Sequence, residues 1–425
     1  MVKDSFLLYF HPKILAVLLL GFCSGLPLAL TASTLGVWLT EAGVSKAAIG
    51  LFAAVATPYT LKFLWSPLMD ATRFPALGRL GRRRSWLIAT ELLLMISLMA
   101  LGLADPAHSP WLTALIALFV AIFSASQDIV IDAYRVEILK PEQYGAGAAT
   151  IVLGYRLGMI VSSAGALYLA TFFGWMFTYW SMALLLLIGI VTVMICGEPE
   201  NSREPAHHGR KFSDWLRDYV IAPFADFMQR PHWLMILLFI LLYKLADAFM
   251  GVMTNPFLID IGFSKEDIAN VVKLYGLLAT IIGSFIGGWM TFKIGTLRTL
   301  WICGIAHGLA NLMYVMQAHL GADIQFLALS TVVENVSGGM GTAAFVAFMS
   351  SLTHKQFTAT QYALLSSLSA FGRTWLSTPS GWVAQMLGWQ GFFLFAAALA
   401  IPGLAVLYFL GSVFIPPSRQ GSRSQ

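Results

Sequence analysis

The sequence predicts an all-α membrane protein of twelve transmembrane helices, arranged as two similar six-helix halves. Three observations carry that prediction. Of 425 residues, 58% are hydrophobic and only 11% charged, whereas a soluble domain carries roughly 25% charged residues. Apolar stretches recur at the ~20-residue length that crosses ~30 Å of hydrocarbon. Finally, the basic residues are sided and the second half of the chain echoes the first.

The apolar stretches fall near 14–40, 46–68, 86–104, 111–136, 144–170 and 175–196, and then near 233–258, 266–290, 298–318, 323–352, 358–386 and 390–414. Strands of a membrane barrel would be about half as long and would alternate in polarity; these do neither. The first stretch is too long for the apolar core of a secretory signal, and no clear small-residue cleavage site follows it, so it reads as a retained helix. The polar stretch 197–231 reads as a cytoplasmic linker between a bundle over 1–196 and a second over 232–415, with a polar tail over 416–425.

Composition excludes several function classes. Cys23, Cys196 and Cys303 are scattered through apolar segments, with neither disulfide nor metal spacing, and the eight histidines form no zinc motif. No metal or cofactor is expected. A formal charge of +5 would suit nucleic acid, but the basic residues follow membrane topology instead. With the N-terminus in the cytoplasm, nineteen Lys and Arg lie in inner segments: Lys3, Lys13, the loop group Arg73, Arg79, Arg82, Arg83 and Arg84, then Arg135, Lys140, five in the linker and five further on. Outer loops hold only Lys46 and Lys265. The positive-inside bias therefore places both termini in the cytoplasm.

The repeat is visible residue by residue. WLTEAGVSKAAI (38–49) and FLIDIGFSKEDI (257–268) align at an offset of 219, Arg156 corresponds to Arg373, and Gly174-Trp175 corresponds to Gly388-Trp389. A parallel repeat of six-helix halves is the architecture of the major facilitator class. That class carries a Gly-x-x-x-Asp-Arg-x-Gly-Arg-Arg type motif after its second helix, and here Asp70 precedes Gly81-Arg82-Arg83-Arg84 with the Asp-Arg step broken by Ala71 and Thr72. Asp70, Arg82 and Arg83, with Arg135 at the inner end of helix four, form the candidate cytoplasmic gate; the alternative is a basic loop that only sets topology.

Charges inside hydrocarbon cost at least ~2.5–3.5 kcal/mol each by insertion scales, so they need partners or a wet cavity. Asp128 and Asp132 stand four residues apart on one face of helix four. As anions they would repel, and a carboxyl that loads and unloads a proton is what a proton symporter requires. Lys62 is a candidate partner for both; alternatively Asp132 bridges Arg135. Lys244 and Asp247 stand three apart on helix seven, either as a permanent pair or as one that opens in transport. Arg156 and Arg373 occupy equivalent helices near mid-depth and suit an anionic substrate, or they cap backbone or bridge Glu334. Glycine runs such as 145–149 and 337–342 offer small faces for close helix packing.

Six stretches in order, GFCSGLPLALTASTLGVWLTEAG (21–43), KFLWSPLMD (62–70), SASQDIVIDAYR (124–135), GAGAATIVLGYRLGM (145–159), ENVSGGMGTAAFVAFMSSL (334–352) and FTATQYALLSSLSAFGR (357–373), together resemble the AmpG muropeptide permeases over most of the chain. The resemblance implies proton-driven import of anhydromuropeptides, sugar–peptide fragments of the bacterial wall, from periplasm to cytoplasm for recycling, and in some bacteria a link to β-lactamase induction. It also places Gln127, Asp128 and Asp132 in the family's acidic stretch of helix four. Some members carry two further C-terminal helices, whereas this chain resembles a twelve-helix core.

For such a substrate, Arg156, Arg373 and Lys244 suit the carboxylates. Tyr59 and Tyr155, with Trp38 and Tyr362, suit the sugar faces, or serve as packing and interfacial aromatics. Gln127, Asn255, Asn335 and Gln361 suit the amides and hydroxyls, with Asp247 and Glu334 beside them. The expected partners are the glycopeptide, protons and membrane lipid, with no nucleic acid and a monomeric chain. Rival readings are a carrier of another organic anion such as an acyl-CoA, an exporter, or a receptor or enzyme on the same scaffold. No nucleophile–base pair, phosphate loop or metal constellation favours an enzyme.

Overall fold

The computed structural model describes residues 8–44, 52–199, 216–264 and 267–413, and every element among them is helical. Lys46, Lys265, residues 200–215 of the linker and the polar tail lie outside the described residues. Contacts gather the chain into two units, Met1–Ala225 with Val346–Ser367, and Asp226–Phe345 with Leu368–Gln425.

Nine described stretches are long and apolar enough to cross a membrane. One of them, Pro141–Cys196, runs for 56 residues, room for two crossings. Its reversal lies at Gly174, whose φ of 78° is a conformation that L side chains avoid. Gly388 plays the same part within Ser380–Gly411, with φ 65°.

Two expected helices are broken at or beside prolines. The stretch expected near 46–68 is a chain of short pieces, Ala53–Ala56, Thr57–Leu61, Lys62–Leu64 and Ser66–Ala71. Pro58 and Pro67 start two of these pieces. Each removes a backbone N–H and clashes with the preceding turn, which breaks an α-helix. The helix Thr358–Trp375 likewise stops short of Pro379, the N-cap of Ser380–Ala398.

In the first unit, Pro12–Thr31 packs along Tyr144–Ile160 with their backbones nearly touching. A side chain at Gly25 would collide with the Tyr155 carbonyl, and one at Gly154 with that of Leu18. The core around them is Leu26, Leu30, Leu94, Leu98, Val120 and Tyr179. In the second unit, Phe249, Phe257, Tyr314, Phe392 and Phe393 form an aromatic core. Large apolar side chains stand bare on both, among them Trp111, Phe172, Ile195, Trp382 and Met386, as expected of surfaces solvated by lipid.

The repeat read from the sequence recurs as contacts inside each unit. Trp175 stacks on Trp38 and donates its indole N–H to Glu41 at 2.9 Å. Trp389 packs against Phe257 and donates to Asp260, also at 2.9 Å.

Candidate functional site

The first unit concentrates charge on the helix Pro110–Ile138. Asp128 accepts a hydrogen bond of 2.5 Å from Ser24 Oγ on the helix Pro12–Thr31. One turn on, Asp132 lies between two cations, 3.9 Å from Lys62 Nζ and 3.3 Å from Arg135 Nη2. Lys62 is buried at the start of its own 3-10 turn. Arg135 is fully buried, donates to Ser350 Oγ at 3.1 Å and lies 5.1 Å above the Tyr362 ring. Lys62, Asp132 and Arg135 thus form one network one helical turn from Asp128.

Near it stands a second buried network. Arg83 donates from Nη2 to Asp70 Oδ1 at 2.7 Å and from Nε to both Glu137 oxygens, at 3.0 and 3.1 Å. Arg82 donates to the Asp70 carbonyl at 3.0 Å. Asp70 Oδ2 accepts from the Thr360 amide and hydroxyl, both at 2.7 Å, while Oδ1 accepts from the Ala359 amide at 3.2 Å. Asp70 therefore joins a buried guanidinium to the first turn of the helix Thr358–Trp375, where free N–H groups and the helix dipole favour an anion. Glu198 accepts from the Arg83 and Arg84 amides, at 2.8 and 3.0 Å, at the start of the helix Arg82–Gly102.

In the second unit, Lys244 sits at a break between Trp233–Leu242 and Leu245–Asp260. Its ammonium donates to Asp247 Oδ2 at 3.0 Å, Thr342 Oγ1 at 2.9 Å and the Gly338 carbonyl at 3.4 Å. The side chains of Asp247, His307 and Glu334 bring one ligand atom each to within 4.8 Å of one another. Glu334 accepts from Asn335 Nδ2 at 2.6 Å, and Asn335 Oδ1 accepts from Thr280 at 3.0 Å.

Other sequence candidates sit differently. Gln127, expected as a polar ligand, is fully buried and donates to Glu91 Oε1 at 3.3 Å. Gln361 is buried too, donating to the Pro223 carbonyl at 3.1 Å and accepting from the His354 amide at 2.7 Å. The Gln127 amide oxygen has no hydrogen-bond partner among the described residues. Tyr59 has a buried hydroxyl without a hydrogen-bond partner among the described residues, while Tyr155 is half-buried. Arg156 is half-buried and forms no ion pair among the described residues. Arg373 and Asn255 are exposed, and Arg373 acts electrostatically on Asp247.

Sequence reasoning passed over Glu91, Glu137, Glu198 and His307. Glu91 is a single carboxyl in the apolar run from Trp86 to Leu103, fully buried, with Oε2 unpartnered among the described residues. It was visible as an intramembrane charge. Glu137 and Glu198 border segments that read as loop, and a lone histidine gives no motif.

The sequence matches the Major Facilitator Superfamily over residues 17–373. It is 43% identical over 400 residues, 93% of this chain and 79% of the relative, to the anhydromuropeptide permease of Escherichia coli strain K12. It is 36% identical over 402 residues, 94% of this chain and 97% of the relative, to putative transporter AmpG 4 of Rickettsia conorii. Among solved structures it shares its fold with the proton:xylose symporter XylE bound to 6-bromo-6-deoxy-D-glucose (TM-score 0.68, 14% identity, 96% of each chain). The human organic anion transporter MFSD10 is similar as well (TM-score 0.66, 16% identity, 93% and 98%). With a superfamily match this long and a permease this similar across nearly the whole sequence, the chain belongs to the major facilitator superfamily and, within it, to the AmpG permease family.

Proposed function

We propose that this protein imports anhydromuropeptides across a bacterial inner membrane by proton symport, for recycling of cell-wall fragments. The observation that carries the reading is the 43% identity to an anhydromuropeptide permease across 93% of the chain. The chain crosses the membrane twelve times as a monomer with both termini in the cytoplasm, its bundles spanning 1–196 and 232–415.

Asp128 is the coupling carboxyl. It lies in a low-dielectric setting, where a proton is retained until water or a cation arrives. Lys62 and Asp132, one turn away, are the groups whose rearrangement changes that balance. Asp70, Arg82, Arg83 and Arg135 work as the cytoplasmic gate, since breaking the Asp70 bonds frees the helix Thr358–Trp375 from Arg83. Arg156 and Arg373 suit the substrate carboxylates because a guanidinium stays charged and binds them in a fork. Lys244, Asp247, Asn255, Glu334, Asn335, Tyr59 and Tyr155 complete the substrate contacts.

Uptake of radiolabelled anhydromuropeptide into proteoliposomes tests the substrate. Labelled substrate should accumulate, and unlabelled anhydromuropeptide should compete where an acyl-CoA does not. Competition by acyl-CoA alone, with no uptake of the muropeptide, would move the assignment to another organic anion.

A further inference from the structure

Of Asp247, His307 and Glu334, which cluster in the second unit, only His307 has no part in the reading above. It is nine-tenths buried on the helix Thr296–Leu320, and its Nε2 has no hydrogen-bond partner among the described residues. Ser337 Oγ lies 2.9 Å from the Glu334 carbonyl and 3.2 Å from His307 Nδ1, so its one hydroxyl proton goes to one or the other. With that proton on the carbonyl, Nδ1 carries the hydrogen in the neutral ring and Nε2 presents a bare lone pair. That lone pair is 3.6 Å from Asp247 Oδ1. In that arrangement two acceptors face each other, the ring buried and the carboxylate about a third exposed at 36%, and a proton on Nε2 turns the repulsion into an ion pair.

Asp247 is shared. Its Oδ2 holds Lys244 Nζ at 3.0 Å while its Oδ1 faces His307. We propose that His307 takes up a proton at Nε2, draws Asp247 to itself, and so releases the Lys244 ammonium to bind a carboxylate of the substrate. The proton comes from the aqueous phase to Nε2, no covalent bond to carbon changes, and both return when the substrate leaves. A cavity of about 20 Å³ lined by Lys244, Cys303, His307 and Ser337 has room for a single water molecule beside the pair.

The groups facing His307 and Asp247 are few. Tyr243 and Lys244 come from the break before Leu245–Asp260, Cys303 from the helix of His307 itself, and Glu334 from Ile324–Ser351. Arg373 acts on Asp247 from Thr358–Trp375, and the segment at Ala400 and Leu404 brings only apolar atoms. Lys244 already provides the cation that Asp247 needs, so the cluster is better suited to a proton than to a metal ion.

This proposal rests on the anhydromuropeptide reading, and the test separates the two. Binding of labelled anhydromuropeptide to purified protein is measured from about pH 8 to about pH 6, the range in which an imidazole changes charge. Affinity should rise as pH falls, by up to about tenfold per unit for one linked proton. His307→Gln should bind with that dependence lost. Asp247→Asn, with Lys244 free throughout, should likewise lose the pH dependence. An unchanged pH dependence in a folded His307→Gln protein overturns the proposal. If the unsubstituted protein binds no anhydromuropeptide, the substrate reading fails instead. The histidine is then judged from ¹⁵N-imidazole resonances of the ligand-free protein: one that titrates and is missing from His307→Gln supports proton uptake, and none that does so overturns it.

Discussion

Arg83 shows how residues in this protein combine charge with burial. Its guanidinium is out of contact with solvent and answers two carboxylates, Asp70 and Glu137. Removing one member of a buried ion network leaves the others uncompensated, typically at about 3–5 kcal/mol. Arg83→Met should therefore lower the thermal unfolding midpoint in detergent sharply. Arg84→Met should change it little, since the Arg84 side chain reaches only the Met194 sulfur at an exposed position. Equal midpoints for the two variants would contradict the network. Asp70 and Arg83 were legible in the sequence because they stand in a spaced motif. Glu137 was not, because a carboxylate at a helix end reads as a solvated residue until its partner is known. Gln127 and Gln361 were legible as polar residues in apolar helices, but their partners, Glu91 and the Pro223 carbonyl, lie 36 and 138 residues away. Spacing along one helix cannot reveal such contacts, whereas Lys244 and Asp247, or Asp132 and Arg135, are neighbours on one face and were read directly.

Among elements, helix contact is set by the smallest side chains. Pro12–Thr31 and Tyr144–Ile160 meet through Gly21, Gly25, Gly154 and Gly158, where added Cβ atoms would strike backbone carbonyls of the facing helix. The expected small-residue face at 337–342 makes the same kind of approach in the second unit, where an added Cβ at Gly339 would strike the Thr280 carbonyl and one at Gly287 the Met340 carbonyl. Overpacking such a seam typically costs about 1–3 kcal/mol. Gly154→Val should lower stability by that order, measured as the unfolding midpoint, whereas Gly36→Ala, with open space around it, should be neutral or slightly stabilising. A Gly154→Val protein as stable as the original would mean that the helices can separate freely. Long apolar helices such as Pro110–Ile138 were legible from length alone. The broken segment over 52–71 was not, because its prolines sit in an apolar run, and hydropathy does not register a lost backbone hydrogen bond. The repeated Trp–acid contact was half legible. Gly174-Trp175 and Gly388-Trp389 align in the sequence, but their partners Glu41 and Asp260 come from the other aligned motif.

For the whole molecule, the fold class was legible because lipid imposes length and sidedness on every crossing. The proposed orientation rests on nineteen basic residues in inner segments against two outside. Reporter fusions at positions 207 and 425 should report cytoplasm and one at 262 periplasm; a periplasmic signal from 207 would reverse the assignment. The central claim is that substrate and proton enter together. Its most direct test is the pH of a weakly buffered medium around proteoliposomes holding the protein, with no gradient imposed. Adding anhydromuropeptide should make the medium more alkaline as protons follow the substrate inward. The signal should vanish with a protonophore and in Asp128→Asn, while that variant still exchanges labelled for unlabelled substrate. Entry of anhydromuropeptide with no change in external pH would contradict the account.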